Sequence, residues 1–172
     1  SVAENQTYIN GLNVTNFRNG LGFSDVPFEF YSDFQVLTGG YSAEFGRSTG
    51  GVINAVTKSG TNEFKAGANI YYKPSGLREE SPNSFRPDGR ALRFNGADSF
   101  SEVEANIYAS GPIIEDTLFY YAIYSPRDLD EDFTNTSGTT FFNDSADDAF
   151  WGGKIDWQIN SDHLVELLAF SD

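Results

Sequence analysis

After residue 64 the chain is a series of segments in which apolar and polar residues alternate. A period of two places apolar residues on one face of a β-strand and polar residues on the other. The alternation is clearest in residues 64–72, 102–110 and 149–159, whereas residues 117–125 and 163–170 are more continuously apolar. The pattern predicts about five long strands, although the segment 163–170 could alternatively form a short helix.

The connections between these segments alternate in length. Residues 112–116 and 160–162 are short, whereas residues 73–101 and 126–148 are long and rich in Pro, Gly, Arg, Asp and Asn. Outer-membrane barrels have short periplasmic turns and longer outer loops. If the chain enters its first strand from the periplasm, the long connections are extracellular loops. The turns at Asp116 and Asn160 are then periplasmic.

Aromatic residues lie near the ends of the predicted strands. Girdles of amphipathic rings at the two membrane interfaces would produce this distribution. The aromatic core of a soluble β-sandwich would also produce it, so this feature leaves both alternatives open. No apolar run approaches the ~18 residues of a membrane-spanning helix, a length that barrel strands do not need.

The composition excludes several classes of function. The 172 residues carry a net charge of -14, which argues against a nucleic-acid partner because phosphate binding needs Lys and Arg. The absence of Cys and the single histidine, His163, exclude thiolate sites and histidine clusters. We therefore expect no metal and no cofactor. Because Met is absent and the chain starts at Ser1, we also expect an internal or trimmed part of a longer protein.

Residues 1–64 have a different character, with short apolar pieces separated by turn signals. Residues 36–38 and 52–57 read as short strands, the latter rich in β-branched residues. Two glycine pairs lie between them, and glycine allows backbone turns that other residues avoid. We expect such turns at these four residues: Gly39, Gly40, Gly50 and Gly51.

The segment Gly39–Phe64, which reads Gly-Gly-Tyr-Ser-Ala-Glu-Phe-Gly-Arg-Ser-Thr-Gly-Gly and continues to Asn62-Glu-Phe64, closely resembles the end of the plug domain in TonB-dependent outer-membrane receptors. The resemblance is strongest to the Oar-like branch. Residues 8–14 and 30–36 fit the same plug, and residues 109–120 resemble an early barrel hairpin of the family.

The resemblance implies a mostly β fold. Residues 1–64 would be the C-terminal part of the plug, and residues 65–172 about the first five strands of an antiparallel transmembrane β-barrel. A complete barrel with an occluded lumen would have about 22 strands. Five strands cannot close such a barrel, and an open edge in lipid leaves backbone groups without hydrogen bonds. Any TonB-contacting segment would precede Ser1.

Glu44 and Arg47 lie three residues apart between the glycine pairs. A local ion pair that holds a turn would contribute only about 0–1 kcal/mol if exposed. Given the resemblance, we favour a polar contact between plug and barrel, because a buried Arg favours a fixed carboxylate partner.

The second long loop is strongly acidic at Asp128–Asp132 and Asp144–Asp148. Carboxylates can bind Ca²⁺, but the spacing lacks the glycine and terminal glutamate of an EF-hand, so a solvated acidic loop is the expected structure. Cation-mediated contact with lipopolysaccharide is one use of such a loop. His163 has no Ser/Asp arrangement around it and is not expected to act as a general base.

These features favour a receptor in the outer membrane of a Gram-negative bacterium, with energy-coupled uptake of an unidentified ligand. Its partners would be outer-membrane lipid, lipopolysaccharide and the inner-membrane TonB complex. A structural or adhesion barrel without active transport is the first alternative. A soluble, secreted β-domain with Ca²⁺-binding loops is the second. An enzyme is the least expected class, since no catalytic set is assembled.

Overall fold

The computed structural model describes residues 5–15, 26–40, 42, 45, 50–77, 79, 81–93, 95–96, 98–134 and 140–171. In these residues the structure consists of β-strands and two 3₁₀ turns, at Phe28–Phe30 and Ser75–Leu77, with no α-helix. The prediction of a mostly β chain is therefore confirmed. None of the described segments forms a helix long and apolar enough to cross a membrane.

The first sheet has four strands in the order β2-β1-β4-β3. Their bounds are β1, Gln6–Ile9; β2, Leu12–Asn13; β3, Tyr31–Leu37; and β4, Val52–Thr57. Strand β4 is antiparallel to β3 but parallel to β1, with Gln6 opposite Val52 and Ile9 opposite Ala55. The first strand of the chain is thus held by a strand that comes more than forty residues later.

A tight turn joins β1 to β2. Asn10 and Gly11 have φ angles of 47° and 80°, the left-handed conformation that two-residue hairpin turns require. The Asn10 side chain also ties this turn to the end of β4: its Nδ2 donates to Thr57 Oγ1 at 2.7 Å, and its Oδ1 accepts from the Thr57 N–H at 2.9 Å. The Asn-Gly dipeptide therefore forms the turn, and its asparagine also links the turn to the end of β4.

The second sheet has five strands in the order β11-β10-β9-β8-β5. Their bounds are β5, Lys65–Lys73; β8, Ser99–Ile114; β9, Leu118–Thr134; β10, Thr140–Asn160; and β11, His163–Ser171. Between β5 and β8 lies a small hairpin of β6, Ser84–Phe85, and β7, Ala91–Arg93. We call the five-stranded sheet the strand wall.

The strand wall follows the sequence alternation closely. Strands form in all five predicted segments, and residues 163–170 are a strand rather than a helix. The prediction of a loop at 126–148 is wrong in extent, because β9 continues to Thr134 and β10 begins at Thr140. These strand extensions are mostly polar on both faces, so no regular alternation of hydropathy marks them. Residues 135–139 lie outside the described part of the chain.

Two compact units divide the chain. One comprises residues 1–67, 108–124 and 150–172, and the other comprises residues 68–107 and 125–149. The first unit contains the whole first sheet together with parts of β5, β8, β9 and β10 and all of β11. The boundary predicted near residue 64 therefore separates the two sheets but not the two units.

Burial on β10 differs from that in a soluble sheet, because charged residues are covered beside Phe150 while large apolar residues of the opposite face are exposed. On β10, Lys154 and Asp156 are 3% and 6% exposed, whereas Trp151 and Trp157 are 50% and 48% exposed. Soluble antiparallel sheets normally direct apolar residues to the core and polar residues to water. Here the charged face of β10 is covered and the apolar face is open. The same face is exposed on β11 at Val165 and Leu167, which lie opposite Trp157 and Ile155.

Candidate functional site between the first sheet and the strand wall

Phe30 joins the first sheet to the strand wall within the first unit. Pro27 precedes the 3₁₀ turn that carries this residue, and the Phe30 side chain is fully buried. Its ring centroid lies 5.6 Å from that of Phe150, 6.0 Å from that of Tyr121 and 6.3 Å from that of Phe170. Aromatic rings at such separations attract each other beyond the burial of their surface. Phe30 therefore anchors the sheet on three wall strands.

A glycine in the wall makes room for this anchor. A Cβ atom placed on Gly152 would lie 2.8 Å from Phe30 Cε2 and 2.9 Å from Phe150 Cε1. Real Cβ atoms do not approach other carbons so closely, and closely packed interiors leave little space for a shift. The absence of a Cβ at Gly152 thus allows the Phe30 ring to pack against the wall.

Tyr121 adds a directional contact beside the aromatic anchor. It is 2% exposed, and its hydroxyl donates a hydrogen bond of 2.6 Å to the main-chain carbonyl oxygen of Glu29. Its ring stacks on Tyr108 with centroids 6.1 Å apart. A buried tyrosine hydroxyl needs a hydrogen-bond partner, and here the Glu29 carbonyl oxygen provides it. The bond therefore fixes the position of the Glu29–Phe30 turn on the wall.

Lys154 is the centre of a buried charged cluster. Its Nζ donates to Ser59 Oγ at 3.0 Å, lies 3.0 Å from Asp156 Oδ1 and also pairs with Glu166 on the neighbouring strand. Asp156 and Glu166 are opposite each other in the antiparallel β10–β11 register. The ammonium group thus holds two carboxylates together and reaches the segment that follows the first sheet.

Asp156 is incompletely satisfied within this cluster. It lies at ion-pair distance from Lys154, yet neither of its carboxylate oxygens receives a well-directed hydrogen bond from the described groups. One ammonium therefore offsets two carboxylates in a site where removing a charge from water is expensive. The cluster depends on Lys154 to a degree that an exposed ion pair would not.

Residues 58–64, which we call the strap, connect the first sheet to β5 and lie against the wall. Asn62 Nδ2 donates to Asp116 Oδ1 at 2.6 Å, and the Asp116 N–H donates to Asn62 Oδ1 at 2.9 Å. A Cβ on Gly60 would collide with the backbone of Tyr120 and would lie 2.8 Å from the carbonyl oxygen of Gly111. The backbone of the strap at Gly60 is therefore in direct contact with the backbone of the wall.

The strand extensions of the second unit carry a different set of polar contacts. Arg127 binds Asp148 through two hydrogen bonds, Nε to Oδ1 at 3.1 Å and Nη2 to Oδ2 at 2.9 Å. Asn143 Nδ2 donates to Asp130 and Asp132 at 3.1 and 2.8 Å. These cross-strand pairs explain how acid-rich residues can still form strands. Across the described residues, no three His, Asp or Glu side chains are grouped to hold a metal.

The predicted site residues lie only in part within the described chain. Glu44 and Arg47 fall outside it. Gly40 has a φ of 68°, in the left-handed region that favours glycine. Gly51 lies outside that region, and a Cβ there would make ordinary contacts at 3.5 Å with Asn5 Oδ1 and the Leu37 carbonyl oxygen. Gly39 likewise lies outside the left-handed region, whereas the φ angle of Gly50 involves residue 49, which is not among the described residues.

Sequence reasoning missed the residues that actually meet at this contact, which are Phe30, Ser59, Tyr121, Gly152, Lys154, Asp156 and Glu166. One signal was present. Lys154 and Asp156 occupy the face of β10 opposite Trp151 and Trp157. Ionisable residues on a membrane strand face the protein interior and find partners there.

Comparison with known proteins identifies relatives of this chain. It is 31% identical over 95% of its length to the TonB-dependent transporter Oar of Myxococcus xanthus. It is 28% identical over 83% of its length to the probable TonB-dependent siderophore receptor PirA of Acinetobacter baumannii. No family model and no solved structure match it.

The chain spans 18% of the Oar relative and 17% of the PirA relative. Both relatives are named as TonB-dependent, one as a transporter and the other as a receptor. The aligned region includes nearly the whole chain in the first case, so it covers both sheets and the contact between them. By sequence, the chain is therefore related to the TonB-dependent receptors and is Oar-like.

Proposed function

We propose that this chain is the later part of the plug and the first barrel strands of an outer-membrane TonB-dependent receptor that takes up a ligand in an energy-coupled way. The observation that carries the proposal is the reversed burial on β10, with Lys154 and Asp156 covered and Trp151 and Trp157 open. In water this arrangement would be unfavourable, because large apolar side chains would remain exposed to solvent. In a bilayer it is the favourable one.

The length and ends of the apolar face support a membrane position. Apart from Phe142 near the start of β10, the exposed large apolar residues described on this strand run from Trp151 to Ile159. That interval agrees with the about 9–11 residues that a tilted barrel strand needs to cross a bilayer. Tryptophan is favoured at both interfaces, and Trp151 and Trp157 lie near the two ends of the interval. Lipid and lipopolysaccharide would contact this face.

The first sheet would act as the plug. It covers the charged face of the wall through Phe30, Tyr121 and the strap, so it lies where the lumen of a closed barrel would be. The imported ligand would bind on the outer side, and the TonB complex would act through a segment not in this chain. Glu44 and Arg47 remain proposed as a further contact between plug and barrel.

The proposed topology predicts which positions reach the outside of the cell. Single cysteines introduced at Pro87 and Ser145, both exposed, are expected to react with a membrane-impermeant maleimide on intact cells. Cysteines introduced at Glu115 and Ser161, in the two short turns, are expected to react only after the outer membrane is permeabilised. Labelling of the two turns but not of the two outer positions would contradict the topology.

Energy-coupled uptake is tested with the full-length receptor in living cells. Mass spectrometry of the medium is expected to find a component that cells with the receptor deplete and cells without it do not. Inactivation of TonB should abolish that depletion, because the plug blocks passive passage. Two outcomes would favour the structural or adhesion barrel. One is depletion that persists without TonB, and the other is surface binding of a medium component without its depletion. Folded, monodisperse protein without detergent would favour the soluble alternative.

A further inference from the structure

We propose that one face of the second unit binds a neutral oligosaccharide. Six residues on β5, β8 and β9, which we call the polar surface, form the binding face: Asn69, Tyr71, Glu104, Asn106, Ser125 and Arg127. The inference rests on the proposed function, because it names the class of ligand that the receptor would take up. It follows from the strand registers, from two buried polar side chains and from the charges around them.

The register between β5 and β8 is defined by contacts at both ends of β5. At one end, a Cβ on Gly111 would lie 3.3 Å from the Phe64 Cα, so these residues are opposite each other. At the other end, Lys73 pairs with Glu102. Both contacts give the same antiparallel register, so the pairing of β5 with β8 is regular between them.

The register between β8 and β9 is fixed in the same way. A two-residue turn joins the strands, and in it the Thr117 N–H donates to the Ile114 carbonyl oxygen at 3.2 Å. Far from the turn, Ser99 Oγ donates to Asp132 Oδ2 at 3.3 Å. The two contacts again agree on one antiparallel register.

These registers place the polar surface in two rows across three neighbouring strands. The first row contains Asn69, Asn106 and Ser125, and the second row contains Tyr71, Glu104 and Arg127. Residues that are directly opposite on adjacent strands share a face and lie within reach of one another. In the proposed barrel this face would line the lumen, because Ser125 shares a face of β9 with Tyr121.

Two side chains of the first row are buried without all the hydrogen bonds that they can make. Asn106 is 0% exposed, and its Nδ2 donates to Glu104 Oε1 at 2.9 Å, but its Oδ1 has no partner among the described residues. Ser125 is 3% exposed, and its Oγ also lacks a partner there. Unpaired buried oxygens lower stability, and a ligand that supplied the missing bonds would reverse this loss.

The polar surface is open on the β5 side. Asn69 is exposed and Tyr71 is 48% exposed, whereas Asn106 and Ser125 are covered. A ligand therefore meets Asn69 and Tyr71 first, and it must uncover Asn106 as it moves along the first row. The contact with the two buried oxygens is then made last.

The charges disfavour an anionic ligand. Arg127 is bound to Asp148 through two hydrogen bonds, and Lys73, at the edge of the surface, is paired with Glu102. A phosphate or carboxylate group would have to displace these partners and would also meet Glu104. An apolar ligand is disfavoured too, because it would bury amide and carboxylate groups without offering them hydrogen bonds.

A neutral oligosaccharide satisfies these conditions. Its hydroxyl groups both donate and accept, so they can serve the Asn106 carbonyl oxygen, the Ser125 hydroxyl and the Glu104 carboxylate. The apolar face of a sugar ring can pack on an aromatic ring, and Tyr71 provides one beside these groups. Small-molecule sites commonly combine such an apolar contact with a few placed polar groups.

Binding to the purified full-length receptor tests the inference. The detergent is lauryldimethylamine oxide, because detergents with sugar head groups would compete. The probes are linear hexasaccharides of glucose, mannose and xylose, which are neutral, and of galacturonic acid, which is anionic. Isothermal titration calorimetry is expected to detect binding of at least one neutral hexasaccharide and at least about tenfold weaker binding of the anionic one.

Substitutions on the two faces of the sheet show where the hexasaccharide binds. Tyr71→Ala and Ser125→Ala are each expected to weaken its binding about tenfold, whereas Tyr71→Phe keeps the ring and most of the affinity. Tyr72→Ala is the matched control, because Tyr72 is exposed on the opposite face of β5. Ser125→Ala should not lower the unfolding temperature of the receptor without probe, since the hydroxyl has no partner to lose.

Failure of the inference can be distinguished from failure of the proposed function. Binding of none of the neutral probes, preference for the galacturonic acid hexamer, or equal effects of Tyr71→Ala and Tyr72→Ala would contradict the oligosaccharide surface while leaving TonB-dependent uptake intact. Binding of a neutral hexasaccharide that cells deplete without TonB would support the surface and contradict energy-coupled transport.

Discussion

Replacing Gly152 by alanine is expected to destabilise the receptor by roughly 1–3 kcal/mol, the usual effect of inserting a methyl group into a closely packed region. The new Cβ would lie 2.8 Å from Phe30 Cε2 and 2.9 Å from Phe150 Cε1, so the Phe30 anchor must shift. A displaced anchor should also loosen the first sheet, which we propose to be the plug. The midpoint of urea unfolding in detergent and the sensitivity of cells to a large hydrophilic antibiotic measure these two effects.

The adjacent glycine provides a matched control. A Cβ on Gly153 would meet only the Tyr121 carbonyl oxygen, at an ordinary 3.7 Å, so Gly153→Ala should change little. Shortening the anchor with Phe30→Leu should suppress part of the Gly152→Ala effect, since two residues in contact do not contribute additively. Equal effects at positions 152 and 153, or full additivity with Phe30→Leu, would contradict the packing argument.

Replacing Lys154 by methionine is expected to have the largest effect, a loss of roughly 3–5 kcal/mol. The change keeps most of the side-chain volume but leaves Asp156 and Glu166 without their shared cation, and Asp156 is 6% exposed. It also removes the donor to Ser59, so the strap should loosen. Urea unfolding of the full-length receptor in detergent measures the loss.

Two further variants make this prediction specific. Adding Asp156→Asn and Glu166→Gln to Lys154→Met should recover much of the stability, because the uncompensated charges are then gone. Lys73→Met removes an ion pair with Glu102 in which the Lys73 side chain is 63% exposed, and it should cost about 0–1 kcal/mol. If Lys154→Met were as mild as Lys73→Met, the buried cluster would not be a principal support of the wall.

Much of the strand wall could be predicted from the sequence, because alternation of hydropathy is local. Trp151, Ile155 and Trp157 share one face by spacing alone, and the short connection at 160–162 fixes β11 beside β10. The extension of β9 and β10 could not be predicted in this way. Its strands are stabilised by cross-strand pairs such as Arg127 with Asp148, which have no signature in one segment taken alone.

The candidate site is less accessible to sequence reasoning for the same reason. Tyr121 is separated from Glu29 by 92 residues, and Lys154 is separated from Ser59 by 95. No local sequence pattern around either residue of these pairs predicts its contact with the other. In the sequence, Gly152 is only a small residue in an alternating strand. A glycine is required at this position because the Phe30 ring, which comes from a distant turn, packs against it. Local periodicity therefore predicts the elements, whereas the contacts between them need the tertiary structure.

The parallel pairing of β1 with β4 constrains how the protein can be made. During synthesis, Gln6–Ile9 emerges long before Val52–Thr57 exists as a partner, and Phe30 emerges before Phe150. Non-local pairing of this kind forms slowly and leaves apolar surface open while it is incomplete. The first sheet can therefore reach its final structure only after β4 and the strand wall have formed, and its apolar residues stay exposed until then.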